Sequence, residues 1–124
     1  MTSEEKAGLI LEALDEKKAV DPVKIDVHPR TIMTDFLIIA TGNSNVHIRT
    51  LADAVMEKLR NNKIKSKRLE GYENATWVLL DYGDVIVHIF APEEREFYRL
   101  EAYWSGAEKG SPPPMSPEEA SGEV

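Results

Sequence analysis

The stretch WVLLDYGDVIVHIF at residues 77–90 decides the fold class, because its pattern is typical of two apolar strands joined by a tight turn. Residues 76–81 and 84–90 are rich in β-branched and aromatic side chains, and Tyr82-Gly83 separates them. The two strands are therefore predicted to form an antiparallel hairpin. One alternating set is predicted to face the core, namely Val78, Leu80, Val85 and Val87.

A two-residue turn places three residue pairs directly opposite each other on the second face of the hairpin. A bulge at Gly83 is the alternative, because a type I′ turn holds Tyr82 at a positive φ, which is costly for a tyrosine. The bulge shifts the register and divides the residues of the two strands differently between the faces. Two aspartates opposite each other destabilise a free protein, and a basic partner reverses that effect. The predicted pairs are Trp77 with His88, Leu79 with Ile86, and Asp81 with Asp84.

Several of these residues also have a purely structural interpretation. Trp77 is either a core residue or a partly exposed interface anchor, since large aromatic side chains serve in both places. His88 within a strand is more often a hydrogen-bonded structural histidine than a base or a metal ligand. Asp81 and Asp84 are also typical residues for the ends of a turn, and Tyr98 is typical of a packing residue on the last helix.

Outward from the hairpin, the apolar periodicity predicts a single α/β domain with the element order α-β-β-α-β-β-β-α. The strand–helix–strand crossover around the second helix predicts that the second and third strands pair in parallel. The hairpin is antiparallel, so the predicted sheet is mixed, with helices packed against at least one face. Helices are predicted to begin at Thr2 (a capping box with Glu5), Ser44 and Pro92, and the first three strands to lie at residues 23–27, 35–41 and 64–69.

The sequence divides into a folded part, residues 1–104, and a tail, residues 105–124. The last predicted helix of the folded part carries an apolar stripe of Phe97, Leu100 and Trp104. The tail consists mainly of Gly, Pro, Ser and Glu and includes three consecutive prolines. Because this composition buries too little apolar area to offset the entropy lost on ordering, we predict a disordered tail.

The composition restricts the class of function. The chain has 124 residues, no cysteine and a net charge of −7, from 15 Lys and Arg against 22 Asp and Glu. The absence of cysteine excludes disulfides, thiolate catalysis and cysteine-ligated metal. No apolar run is long enough to span a membrane, and the N-terminus lacks the pattern of a signal or transit peptide. We therefore expect a cytoplasmic protein with no membrane partner.

The negative charge disfavours a bare phosphate backbone as the main partner, because such binding depends on Lys and Arg. One basic cluster is the exception. Exposed helix ends and edge strands commonly carry such runs, so the cluster is either a solvated surface or a secondary RNA contact. Its residues are Lys58, Arg60, Lys63, Lys65, Lys67 and Arg68, and the RNA interpretation concerns the last four.

Catalysis has little support in the sequence. Asp81 and Asp84 could hold Mg²⁺ for phosphoryl transfer, and Gly42-Asn43-Ser44 could cradle an anion at the start of a helix. However, the chain has no glycine-rich phosphate loop, and its histidines lack metal-ligand spacing. We predict no catalytic residue, no metal site and no cofactor. A metal-dependent nucleotidyltransferase-like enzyme or a nucleotide-binding protein is the alternative.

Several motifs, in the order in which they occur, resemble those of the ribosomal silencing factor family, RsfS, also called the Iojap family. The resemblance covers about residues 7–104, nearly the whole predicted domain. It rests on Asp35-Phe36, Thr41-Gly42-Asn43-Ser44, His47, Glu70-Gly71, the run Trp77 to Asp84, Val87-His88-Ile89-Phe90, Arg95, Phe97-Tyr98, Leu100-Glu101 and Trp104.

The resemblance implies an α/β fold related to nucleotidyltransferases but without their catalytic carboxylate signature. It also implies binding to a basic protein of the large ribosomal subunit, the fourteenth in the large-subunit naming, which blocks subunit joining and lowers translation when nutrients are scarce. Some members are homodimers, so a homodimer is a further expectation. We predict that the partner is bound by Trp77, Leu79, Asp81, Tyr82, Asp84, His88, Glu70 and Tyr98.

Overall fold

The computed structural model describes residues 1–107 and 110–121. Its elements are α1 (Ser3–Glu16), β1 (Val20–Asp26), β2 (Phe36–Thr41), α2 (Asn45–Asn61), β3 (Arg68–Glu70), β4 (Trp77–Asp81), β5 (Val85–Phe90), α3 (Pro92–Tyr98), α4 (Leu100–Trp104) and α5 (Pro117–Ser121). The five strands form one sheet in the order β1-β2-β5-β4-β3. Among the described strands, only β2 and β5 pair in parallel. The predicted α/β fold with a mixed five-stranded sheet is confirmed.

The predicted parallel pairing of the second and third strands is wrong, because β2 pairs with β5 instead. The hairpin of β4 and β5 lies between β2 and β3. Burial explains this order: β5 is nearly continuously apolar and suits a central strand covered on both faces, whereas β3 follows a lysine-rich segment and suits an edge. The edge strand is also shorter than the predicted 64–69.

One face of the sheet is covered by α1 and α2, and we call it the helix face. The predicted capping box of α1 is present, with Thr2 and Glu5 bonding each other's backbone N–H groups. Ser44 caps α2 as predicted by accepting a hydrogen bond from the His47 N–H. The sheet contributes fully or almost fully buried side chains to this core, namely Phe36, Ile38, Ala40, Val78, Leu80, Val85, Val87 and Ile89.

The opposite face is covered by short elements from the end of the chain, and we call it the C-terminal face. Ile39, Trp77 and Phe90 form its buried cluster together with Leu100 of α4. The predicted single last helix is divided into α3 and α4, because Arg99 adopts a left-handed conformation with φ 51°. This break removes the predicted continuous stripe.

The tail departs from the predicted disorder where the structure describes it. Met115 and Ala120 pack against the cluster of the C-terminal face, and Ser116 is buried. The Ser116 hydroxyl accepts a hydrogen bond from the Glu119 N–H at 3.1 Å, which starts α5. Met115 and Ala120 are too few to change the overall composition of the tail, but they are enough to attach it to this cluster. Residues 108–109 and 122–124 lie outside the described residues.

Among the helices of residues 1–107 and 110–121, none is long and apolar enough to cross a membrane.

Candidate docking surface

The register of the β4–β5 hairpin differs from both predicted forms. Asp81 lies opposite Ile86, Leu79 opposite His88, and Trp77 opposite Phe90, a shift of two residues from the two-residue turn. Gly83, with φ 86°, takes the positive φ in the longer turn, so the strain expected for the neighbouring tyrosine does not arise. Because a shift of two keeps every side chain on its original face, the predicted division of strand residues between the faces is confirmed.

The two aspartates of the hairpin are held apart by different cations. Asp84 Oδ1 pairs with Lys6 Nζ from α1 at 2.7 Å. Asp81 accepts a hydrogen bond from the Gly83 N–H at 2.8 Å, and its second oxygen lies 3.8 Å from Arg68 Nη2. The predicted opposition of two like charges is therefore wrong, and the argument for a basic partner from this pair no longer applies.

Most of the predicted partner-binding side chains are buried. Trp77 is 3% exposed, Leu79 and His88 are fully buried, and Glu70 is 7% exposed. Tyr82 points to the other side of the sheet and belongs to the core of the helix face, where burial raises its pKa to about 12. These five side chains therefore do not form an exposed surface, and of the two interpretations of Trp77 the structure shows the core residue.

Trp77 and His88 form a buried polar pair on the C-terminal face. The Trp77 Nε1–H donates a hydrogen bond to His88 Nδ1 at 2.9 Å, which assigns the remaining imidazole proton to Nε2. His88 Nε2 has no hydrogen-bond partner among the described residues. Burial, with a smaller contribution from Arg68, lowers the pKa of His88 to about 3, so the ring is neutral at physiological pH. His88 is a structural histidine here, which was the more frequent of the two predicted interpretations.

An exposed acidic and aromatic surface lies on α3, directly outside Trp77. The half-buried Tyr98 ring centre is 4.7 Å from that of Trp77, and Phe97, which is 77% exposed, meets Tyr98 edge to face at 5.0 Å. Glu93 and Glu94 line one cavity of about 280 Å³ with these two aromatic residues. We call these four residues the α3 patch.

Arg95 fixes the α3 patch on the sheet. Its guanidinium pairs with Glu101 of α4 at 2.6 Å and donates a hydrogen bond to the Thr41 hydroxyl at 2.9 Å. The sequence reasoning missed Phe97 as a site residue, because a continuous helix would have placed it on a buried stripe. The two glutamates after Pro92 were the available signal for an acidic surface beside it.

The four side chains of the basic cluster with a predicted RNA contact face solvent, and one of them, Arg68, also forms ion pairs within the protein. Arg68 Nε lies 2.9 Å from Glu70 Oε2, an ion pair without hydrogen-bond alignment, and Arg68 also approaches Asp81. Lys63, Lys65 and Lys67 are exposed. All four predicted RNA contacts are therefore exposed, and Arg68 is also paired with two predicted site carboxylates.

A second exposed apolar surface was also missed. Ile32 and Met33, in the loop between β1 and β2, are 99% and 81% exposed. Met33 lines a cavity of about 420 Å³ together with Trp104 and Met115. Nothing in the spacing of this loop distinguishes it from an ordinary turn, so the sequence offered no signal for it.

The turn that suggested an anion site in an enzyme makes hydrogen bonds within the protein itself. The Asn43 N–H donates to His47 Nδ1 at 2.9 Å, the His47 N–H donates to Ser44, and the Gly42 N–H donates to the Phe90 carbonyl at 2.9 Å. These N–H groups are not available to cradle a phosphate. Among the residues that the structure describes, no group of three or more His, Asp or Glu side chains is placed to hold a metal ion.

Comparison with known proteins gives one family. The model of the family described as "Ribosomal silencing factor during starvation" matches residues 1–123. The Ribosomal silencing factor RsfS of Halalkalibacterium halodurans is 39% identical over 107 residues, which cover 86% of this chain and 92% of that protein. A crystal structure of a protein from Chromobacterium violaceum matches with a TM-score of 0.84 and 35% identity, covering 97% of this chain and 99% of that one.

A more distant relative carries a name that mentions the large subunit. The mouse protein named Mitochondrial assembly of ribosomal large subunit protein 1 is 28% identical over 100 residues, which cover 78% of this chain and 44% of that protein.

Proposed function

This chain belongs to the ribosomal silencing factor family, and on that premise we propose that it binds the large ribosomal subunit and sterically prevents the small subunit from joining. The partner in this proposal is a basic ribosomal protein, the fourteenth in the large-subunit naming. Translation falls when nutrients are scarce, because each bound large subunit is withdrawn from the pool that can assemble. The name of the mouse relative supports the large subunit as the partner.

The observation that carries the proposal is the α3 patch. Its two glutamates match a basic surface in charge, and such complementarity steers association and fixes orientation. Its aromatic residues supply apolar area, and aromatic side chains are frequent among the few residues that dominate binding energy. Trp77 lies behind Tyr98 and limits its motion, which lowers the entropy lost on binding.

The other predicted site residues take second place in this proposal. Glu70 and Asp81 face the same side of the sheet as Trp77 but are bridged by Arg68, so a basic partner reaches them only by competing with that side chain. Leu79, His88 and Trp77 support the surface from behind. Asp84 and Tyr82 lie in the hairpin turn and do not share a face with Trp77, so their role in this proposal is to shape the turn.

Ribosomal RNA is a secondary partner in this proposal. The net charge of −7 opposes a main interface with phosphate. The exposed Lys63, Lys65 and Lys67 would add a small, salt-dependent contribution at the edge of the interface. No other part of the proposal depends on this contact.

A blocking mechanism needs no chemical step, so the proposal includes no enzymatic activity and no cofactor. Occupancy follows mass action, set by the concentration of the factor relative to its dissociation constant. We place the protein in the cytoplasm, where ribosomal subunits join. In this proposal, a homodimer would be the form of the protein that is not bound to the ribosome. The alternative of a nucleotidyltransferase-like enzyme gains no support from the separated carboxylates.

Sucrose-gradient sedimentation with separated ribosomal subunits tests the proposal. We expect the protein to sediment with the large subunit and to lower the amount of joined ribosomes when small subunits are added. Glu93→Lys should weaken both effects, because it reverses a charge of the α3 patch. Glu57→Lys is the matched control, since it reverses an exposed charge on α2. Migration with the small subunit, or equal behaviour of the two variants, would reject the proposal.

A further inference from the structure

We propose that residues 115–121, which we call the cover segment, form an intramolecular cover that competes with the ribosomal partner for the C-terminal face. This inference rests on the proposed function and adds a means of regulating the same surface. The cover segment contains Met115, Ser116 and all of α5. It lies between solvent and the buried Trp77, the residue that supports the α3 patch.

Apolar contacts attach the cover segment to the sheet. Met115 and Ala120 pack against the buried cluster that includes Trp77 and Phe90. The Trp104 Nε1–H donates a weak hydrogen bond to Met115 Sδ at 3.3 Å, which holds the methionine in place. Met115 is thus the anchor of the segment.

Polar contacts bring the cover segment to the predicted docking residues themselves. The Glu118 N–H donates a hydrogen bond to Glu70 Oε1 at 3.2 Å, so a carboxylate predicted to bind the partner is occupied by the chain itself. Pro117 sits close to Gly71, where a Cβ would overlap the Trp77 carbonyl oxygen and lie 3.1 Å from Pro117 Cγ. Glycine is required there by its φ of 77° and by the Trp77 carbonyl, and the missing side chain also leaves room for Pro117.

The cover segment and the α3 patch are contiguous. Trp77, Tyr98 and Glu94 line a cavity of about 200 Å³ together with Pro117 and Ala120. A protein large enough to contact Phe97 and Tyr98 would also meet the cover segment. The partner must therefore displace the segment to dock on the α3 patch beside it and to reach Glu70.

The hold on the cover segment is weak enough to be reversed. Its helix has five residues, none of them buried, and short segments with few contacts open with small free energies. Glu118 and Glu119 add negative charge beside the acidic α3 patch, which opposes closure. If the segment is closed about nine times in ten, the apparent dissociation constant for the partner rises about tenfold.

The test compares an opened, a locked and a control form of the full chain. Met115→Glu removes the anchor and places a charge against the apolar cluster, which opens the segment. Ser111→Glu adds the same charge at an exposed position before the segment and is the control. The chain contains no cysteine. Thr76→Cys with Ser121→Cys, at two exposed residues that line one cavity, can therefore be bridged by a short bis-maleimide to lock the segment.

We expect the opened form to bind isolated large subunits about tenfold more tightly than the parent. The locked form should bind at least about tenfold more weakly, and the control should equal the parent. Hydrogen exchange should show faster exchange at the Glu118 amide in the opened form, with the sheet unchanged. Ala120→Glu provides a second opened form if Met115→Glu disturbs the fold.

Equal affinity of the parent, opened and locked forms would overturn the cover while leaving the proposed function intact. Absence of binding by every form, the opened one included, would remove the proposed function and the cover with it. Binding by the opened form alone would support both.

Discussion

The two faces of the sheet are built from the same strands but are closed in different ways. The helix face is covered by α1 and α2, of 14 and 17 residues, and the sheet side chains at its centre join one apolar core. The C-terminal face is covered by three helices of five to seven residues. It also contains a buried histidine and a buried carboxylate.

Because successive residues of a strand point to opposite faces, neighbouring residues serve either the stability of the fold or the binding surface. Residues on the helix face contact long, cooperative elements, so they hold the fold together. Residues on the C-terminal face contact short elements with few bonds, and such regions have the low local stability that binding surfaces require. The exposed aromatic residue of the α3 patch lies at the margin of this second face.

Leu80 and Leu79 provide the strongest test of the comparison, because they are adjacent on β4, fully buried, and on opposite faces. Leu80→Ala should lower the free energy of unfolding by about 2–5 kcal/mol, since the two long helices cannot collapse into the space. Leu79→Ala should cost at least about 1 kcal/mol less, because the short elements can move in. Urea unfolding measures both. Equal losses would contradict the distinction between the faces.

The pH dependence of stability gives the next largest effect. His88 has a pKa of about 3 in the folded chain and an ordinary value of 6.5, so the unfolded chain binds the proton more readily. Stability from neutral His88 is complete above about pH 6.5 and falls as the pH drops toward 3. At about pH 4.5 the loss should be about 2–3 kcal/mol.

Denaturant unfolding across this pH range checks the effect of His88. His88→Asn should flatten the profile, whereas His28→Gln, at an exposed position, should leave it unchanged. If the free energy of unfolding of the parent does not fall below about pH 6.5, the His88 imidazole is hydrated in solution and the expectation is contradicted.

The fold was largely predictable because its signals are local. The capping box at Thr2, the cap at Ser44 and the apolar run of β2 each determine an element from neighbouring residues, and all three are confirmed. Strand order was not predictable in the same way. It depends on the hairpin inserting between β2 and β3, which is a competition among distant segments for the centre of the sheet.

The site was only partly predictable. The sequence indicated which strand residues share a face with Trp77, because the two-residue periodicity survives a register shift of two. It left open whether Trp77 is buried, because part of its cover comes from a tail whose composition suggested disorder. The exposure of Phe97 depends on the left-handed Arg99, a backbone conformation that no spacing rule signals.

Phe97→Ala should have the smallest effect on stability and the most informative effect on function. The side chain is 77% exposed, so the free energy of unfolding should change by no more than about 0.5 kcal/mol. Val46→Ala, at a residue 68% exposed on α2, is the matched control.

The affinity of these two variants for isolated large ribosomal subunits measures whether the α3 patch contacts the ribosome. We expect Phe97→Ala to bind at least about tenfold more weakly than the parent, and Val46→Ala to bind equally well. Unchanged affinity of a folded Phe97→Ala, or an equal loss in both variants, would contradict this contact.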